Sequence, residues 1–195
     1  MAKDASTKGE AKGRYVLLLR GINVGGSNKL AMRDLSRLCE RAGATNVVTY
    51  IQSGNVVLSA PPPTAEALHH RVASLIREEL GLTVPVVVRT AREFAAVAKR
   101  HACAPPSSEA KALYVAFLAA APSAANIARL DPARSPGDVF ALKGRELFLC
   151  LAAGAGKTKL TNDYFERTLG TTSTIRNWNT VQKLAALVTL SLIHI

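Results

Sequence analysis

Aromatic residues are scarce in this chain, at 5% of 195 residues, and only one is a tryptophan. RNA-recognition modules stack bases on aromatics set among basic residues, and no such pattern occurs here, so that module is excluded. Cysteine is limited to Cys39, Cys103 and Cys150. Three thiols cannot all pair and no secretory leader is visible, so a disulfide scaffold is excluded and a reducing cytoplasm is expected. No apolar run approaches the roughly 20 residues of a bilayer-spanning helix, so no membrane partner is expected. Acidic residues number only 14 and are scattered, which leaves no carboxylate pair to nominate for general acid–base chemistry. His101-x-Cys103 has no second ligand pair, and His69-His70 sits beside Arg71, so neither a metal nor a cofactor is expected. There is no Gly-x-Ser-x-Gly elbow, and Ser53 lacks a visible His–Asp partnership.

What is present is a globular composition, 48% hydrophobic and 20% charged, long enough for one ample domain or two small ones. Lys and Arg number 25, which sets the net charge at +11. Such charge suits a polyanionic or phosphate-bearing partner, and equally suits a plain solvated surface.

Hydrophobic periodicity divides the chain. Residues 1–13 are polar and rich in Lys, Ala and Gly, and are expected to be a disordered tail. Residues 14–90 read as strand, helix, strand, strand, helix, strand. Tyr15 to Leu19 is continuously apolar, as a central strand buried on both faces would be. Met32, Leu35, Leu38, Cys39 and Ala42 fall at helical spacing and Gly43 follows. Asn46 to Ile51 and Asn55 to Ser59 flank a two-residue turn at Ser53-Gly54. Pro61 to Pro63 break the chain, Thr64 caps a helix ending at Gly81, and Pro85 places Leu82 to Arg89 on a sheet edge. Residues 91–111 form a helix and linker, with a Pro-Ser break at Ala104 to Ser108. Residues 112–189 repeat the order, with a helix from Thr158 to Leu169, a strand from Thr171 to Arg176 and a closing helix from Thr180. The expected fold is α+β, two tandem ferredoxin-like βαββαβ units with antiparallel sheets plus a C-terminal helix. Leu190-Ser191-Leu192-Ile193-His194-Ile195 resembles one reading frame of a common transposon adapter and is expected to be foreign sequence.

In a βαββαβ unit, the loop after the first strand and the hairpin after the second share one end. That brings Gly21 to Lys29 together with Gln52 to Asn55. The first segment could offer backbone N–H groups to an anion, with Arg20 and Lys29 adding charge. The alternative is a turn with positive φ at Gly25 or Gly26 and local bonds from Asn23 and Asn28. Gly154-Ala155-Gly156-Lys157-Thr158 is an incomplete Walker loop, since Leu151 stands where that motif requires Gly; a looser anion contact by Lys157, Lys159 and the following helix remains open. Asn179 and Gln182 could form a capping box, Trp178 could pack between the halves, and Arg176 calls for a carboxylate or an anionic ligand.

Two blocks, Arg20-Gly21-Ile22-Asn23-Val24-Gly25-Gly26 with Tyr50-Ile51-Gln52-Ser53-Gly54-Asn55, and Arg176-Asn177-Trp178-Asn179-Thr180, carry a family resemblance. Together with Lys159-Leu160-Thr161-Asn162 they resemble the bacterial family known as domain of unknown function 1697, over about Tyr15 to Leu187. The resemblance implies a fold and no agreed activity. The residues themselves suit binding better than bond-breaking. The expected function is binding of a phosphate-bearing ligand, nucleotide or nucleic acid, by Arg20, Gly21, Asn23, Gly25, Gly26, Asn28, Lys29, Gln52, Ser53, Asn55 and Arg176. The alternatives are an enzyme acting on a small phosphorylated substrate, its acid or base assembled only in three dimensions, and a homo-oligomeric interaction protein.

Overall fold

A computed structural model of the chain describes residues 12–103 and 112–190. Most of the expected tail, the Pro-Ser break and all but Leu190 of the adapter-like end therefore lie outside the described residues. Among those described, eight strands form two four-stranded antiparallel sheets, accompanied by six helices.

The first half runs β1 (Gly13–Leu19), α1 (Met32–Arg41), β2 (Thr45–Tyr50), β3 (Asn55–Ala60), α2 (Pro62–Leu80) and β4 (Val86–Thr90). Its sheet has the order β2-β3-β1-β4, so β1 is central and β4 is an edge. Val16 to Leu19 are completely buried because both faces of β1 are covered. Leu17 and Leu19 pack with Val56 and Leu58 against α1 and α2. Val16 and Leu18 point the other way, with Val57 and Val87. Pro85 lies just before β4, where it has no ladder bond to donate, and its carbonyl accepts from Arg20 N at 2.9 Å.

α3 (Ala91–Ala98) links this half to β5 (Leu113–Leu118), α4 (Ala124–Ile127), β6 (Val139–Lys143), β7 (Glu146–Cys150), α5 (Asn162–Leu169) and β8 (Ser173–Asn177). The second sheet has the order β6-β7-β5-β8, and α6 (Trp178–Leu190) closes the chain. Ala116, Leu118, Leu147 and Leu149 pack on Phe165 and Leu169 of α5. Val115, Phe117 and Phe148 face the first sheet, with Phe94 of α3 and Val181, Leu184 and Val188 of α6 between them. α3 and α6 are thus the shared middle layer, and Trp178 packs against it as expected, edge-on to His101 at 5.0 Å.

Several boundaries differ from the sequence reading. α2 starts at Pro62 with Pro61 as N-cap and not at a Thr64 cap, because proline's fixed φ and missing N–H suit the first turn. The β2–β3 turn is four residues, 51–54, with both Ile51 (φ 49°) and Gly54 (φ 74°) left-handed. α5 begins at Asn162, capped by the Thr161 hydroxyl, so Lys157 and Lys159 belong to the preceding loop and not to a helix start. The capping box proposed for α6 does not form. β8 runs directly into the helix at Trp178, Asn179 N donates to Asn177 Oδ1 (2.9 Å), and Gln182 reaches the Ala98 carbonyl (2.6 Å). A capping box does occur at α3, between Thr90 and Glu93. Its T-x-x-E spacing was readable in the sequence.

Candidate cleft between the halves

Each half contributes one arginine from its last strand to the other half. On β4, Arg89 pairs with Val16 in register; on β8, Arg176 pairs with Val115. Both are buried, at 1% and 8% exposure. Arg89 Nη2 donates to Leu118 O (2.6 Å) at the end of β5, and its Nε donates to Glu146 at the start of β7 (2.8 Å). Arg176 Nη2 donates to Leu19 O (2.7 Å) at the end of β1, and its Nε donates to Asn55 Oδ1 (2.5 Å) at the start of β3. The ladders pair Phe117 with Glu146 and Leu18 with Asn55, so the acceptors are equivalent positions. The halves exchange arginines in a reciprocal clasp.

The clasp differs in charge. Arg89 meets a carboxylate. Arg176 meets an amide, and among the described residues it has no carboxylate partner. Its remaining donors go to Thr174 Oγ1 (2.8 Å), Ile175 O (2.9 Å) and Ser53 O (3.0 Å). Burial with no opposing charge pushes its guanidinium down to about 10. The two signature blocks therefore meet, through Arg176 with Asn55 and Ser53.

Beside Arg176 lies a cleft of about 520 Å³. Leu19, Ile22, Val24, Ile51 and Ile175 give it apolar walls, and Thr161, Asn162, Asn177 and Thr180 give it polar ones. Of the expected site residues, Arg20, Gly21, Ser53 and Arg176 line it. Arg20 is already engaged: its guanidinium holds Asp163 at 2.5 Å and Glu166 at 2.8 Å, tying β1 to α5. Asn23 is committed to backbone. Its Nδ2 donates to Leu30 O (2.9 Å) and Gln52 O (2.7 Å), and its Oδ1 accepts from Leu30 N (2.9 Å). Asn28 donates to Gly21 O (3.0 Å), and Asn55, wholly buried, donates to Tyr50 O (3.1 Å) and Ser53 Oγ (2.9 Å). Gly25 (φ 57°) and Gly26 (φ 81°) make the tight turn that closes Ser27 N onto Val24 O. They, Lys29 and Gln52 are exposed and do not line the cleft.

The Gly154 to Thr158 segment stays away from this cleft. Thr158 and Ser135 hydroxyls each donate to Asp138 Oδ2 (2.6 Å), and Ala152 N donates to Oδ1 (2.8 Å). Burial works to raise the Asp138 carboxyl, but these three bonds outweigh it and hold the group below its ordinary value. Sequence reasoning missed Arg89 altogether. The signal was a lone charge closing the apolar run Val86-Val87-Val88.

The fold and cleft define a class: an α/β protein of two sheets, joined by buried arginines, with a concave site at the junction. Residues 13–148 match the family model described as Protein of unknown function (DUF1697), and the chain belongs to that family. The block from Arg176 to Thr180 lies beyond the matched residues. A solved structure of the conserved bacterial protein SP0830 from Streptococcus pneumoniae is similar, with 22% identity and a TM-score of 0.67, covering 92% of this chain and 100% of that one. At that identity the likeness concerns the fold. No curated protein matches.

Proposed function

We propose that this chain is a cytoplasmic binding protein for a small phosphate-bearing ligand, taken up in the cleft beside Arg176. In this reading each half is a ferredoxin-like unit, residues 14–90 and 112–189, and the ligand sits where the two are clasped. The observation that carries it is the charge difference within the clasp. At equivalent positions Arg89 has Glu146 and Arg176 has only Asn55, so a buried cation lines the cleft uncompensated. An anion in the cleft would supply the missing charge through a low dielectric. All five Arg176 N–H groups are occupied, so it acts by field while other groups make contact. Thr180, Asn177 and Asn162 supply polar side chains, and the N-terminal turns of α5 and α6 border the cleft through Asn162, Asp163 and Thr180. Asp163 is the one carboxylate lining it, and Arg20 neutralises it.

A small ligand is favoured over nucleic acid by where the charge lies. Among the described residues, basic side chains without a carboxylate partner are found on α1 (Arg33), α2 (Arg71, Arg77), α3 (Arg92), the β6–β7 hairpin (Lys143), α5 (Arg167) and α6 (Lys183), spread over more than one layer. A nucleic-acid site concentrates charge along one strip. The three cysteines are free thiols, in keeping with a reducing compartment, and no helix among the described residues is long and apolar enough to cross a membrane.

The test is a thermal-shift screen with inorganic phosphate, pyrophosphate, mononucleotides and phosphorylated sugars. A binder at 100 times its Kd should add about 2.7 kcal/mol of stability. Thr180→Glu, which places a carboxylate at the cleft wall, should erase the shift. A shift of equal size in that variant would mean the anion binds elsewhere, and no shift with any probe would end the proposal.

A further inference from the structure

Four non-glycine residues among those described have left-handed backbone: Asn23 (φ 54°), Asn28 (φ 47°), Asn46 (φ 52°) and Ile51 (φ 49°). Three are asparagine, which tolerates that region. Ile51 is β-branched and strained there. Burial does not explain its presence, because it is 50% exposed. It lies at the cleft together with Val24, which is 65% exposed. The Asn23 amide bonded to Gln52 O at 2.7 Å holds the two segments side by side, so the residues flanking that bond form one apolar lip. A strained, exposed isoleucine at the cleft is an arrangement that folding alone disfavours.

We infer that Val24 and Ile51 form a shelf for the planar ring of a mononucleotide whose phosphate lies toward Arg176. The inference rests on the anion-binding reading above and adds the ligand's other end. A cleft of about 520 Å³ is within the range that holds such a molecule. Its apolar walls offer hydrocarbon to a ring, and Thr180, Asn177 and Arg176 line the same cleft for the charged end. Free phosphate would leave the lip bare.

The experiment compares AMP with inorganic phosphate by calorimetry on the full chain, in wild type, Ile51→Asn and Val24→Ser. Wild type should bind AMP at least tenfold more tightly than phosphate. Ile51→Asn should raise the melting temperature by relieving the backbone, keep phosphate affinity within twofold, and lose most of the AMP advantage. Val24→Ser should lose part of that advantage with its melting temperature unchanged. An AMP-to-phosphate ratio unaltered in both variants would overturn the shelf while leaving the anion site standing. Wild type binding AMP no more tightly than phosphate, or not at all, would likewise overturn the shelf, and the anion site falls only if pyrophosphate and phosphorylated sugars fail as well. A fall in melting temperature in Ile51→Asn would mean that the isoleucine is there for stability, which also defeats the inference.

Discussion

Replacing Arg176 with methionine tests the clasp most directly. The side chain is nearly isosteric along its stem but has no donors, so three acceptors in the first half lose their partner: Asn55 Oδ1, Leu19 O and Ser53 O. Leu19 O keeps a weak bond from the Thr174 hydroxyl at 3.4 Å. At roughly 2 kcal/mol per stranded buried acceptor, the loss is about 6 kcal/mol. Against it stands the relief of burying a guanidinium with no counter-charge. The descent of Arg176 from 12.5 to about 10 corresponds to about 3 kcal/mol on the usual conversion. The expected net cost is about 3 kcal/mol, or a fall in Tm of about 6–12 °C for a chain of this size. Urea unfolding followed by far-UV circular dichroism would measure it. Glu146→Gln is the companion, since it gives Arg89 the neutral kind of partner that Arg176 already has. It should cost about 3 kcal/mol, because it leaves the buried Arg89 guanidinium without its counter-charge. A cost below about 1 kcal/mol for Arg176→Met would refute the reasoning, because it would mean the arginine is not what joins the halves.

The frame was legible where one physical cause acts alone. A continuous apolar run such as Val16 to Leu19 has no other use than a strand covered on both faces, and β1 is central with those four residues fully buried. Gly81 marks a helix end because left-handed closure favours glycine. Boundaries were lost where two causes compete. The turn at residues 51–54 contains a left-handed isoleucine, which no turn rule anticipates. α6 starts two residues before the expected Thr180, directly after β8, and the side chain accepting from its first turn is Asn177 and not Asn179. The site was half legible for a deeper reason. Arginine, asparagine and glycine are what a ligand site needs, and equally what a buried junction needs to satisfy its backbone. Burial separates the two, and burial depends on how the halves dock. Asn55 shows the difficulty: its amide reads as a ligand donor in sequence and is wholly enclosed in the fold.

Three further outcomes are expected. Gly54→Ala should cost about 3 kcal/mol or more in chemical denaturation, since a Cβ there would lie 2.6 Å from Leu19 Cβ and 2.9 Å from Ile22 Cδ1 at a φ of 74°. Asp138→Asn should destabilise at pH 7 and progressively less below about pH 4. The sign follows from a folded carboxyl held below its ordinary value, which contributes stability above the unfolded pKa and loses it as pH falls through the folded one. The third is a series at Asn23, which separates backbone from side chain because that residue combines a φ of 54° with three hydrogen bonds. Asn23→Gly keeps the conformation and loses the bonds, so it should cost about 2 kcal/mol by the usual worth of partly buried amide bonds. Asn23→Ala loses both and should cost about 1 kcal/mol more, the strain of a Cβ in the left-handed region. Asn23→Asp keeps the acceptor for Leu30 N but turns an oxygen toward Leu30 O and Gln52 O, so it should fall near the alanine variant. Equilibrium unfolding of the three ranks them directly. If Asn23→Gly unfolds at the wild-type midpoint, these bonds do not hold the two loops together. The Asn23 amide would then be free to serve a ligand, and the division between clasp and cleft drawn above would have to move.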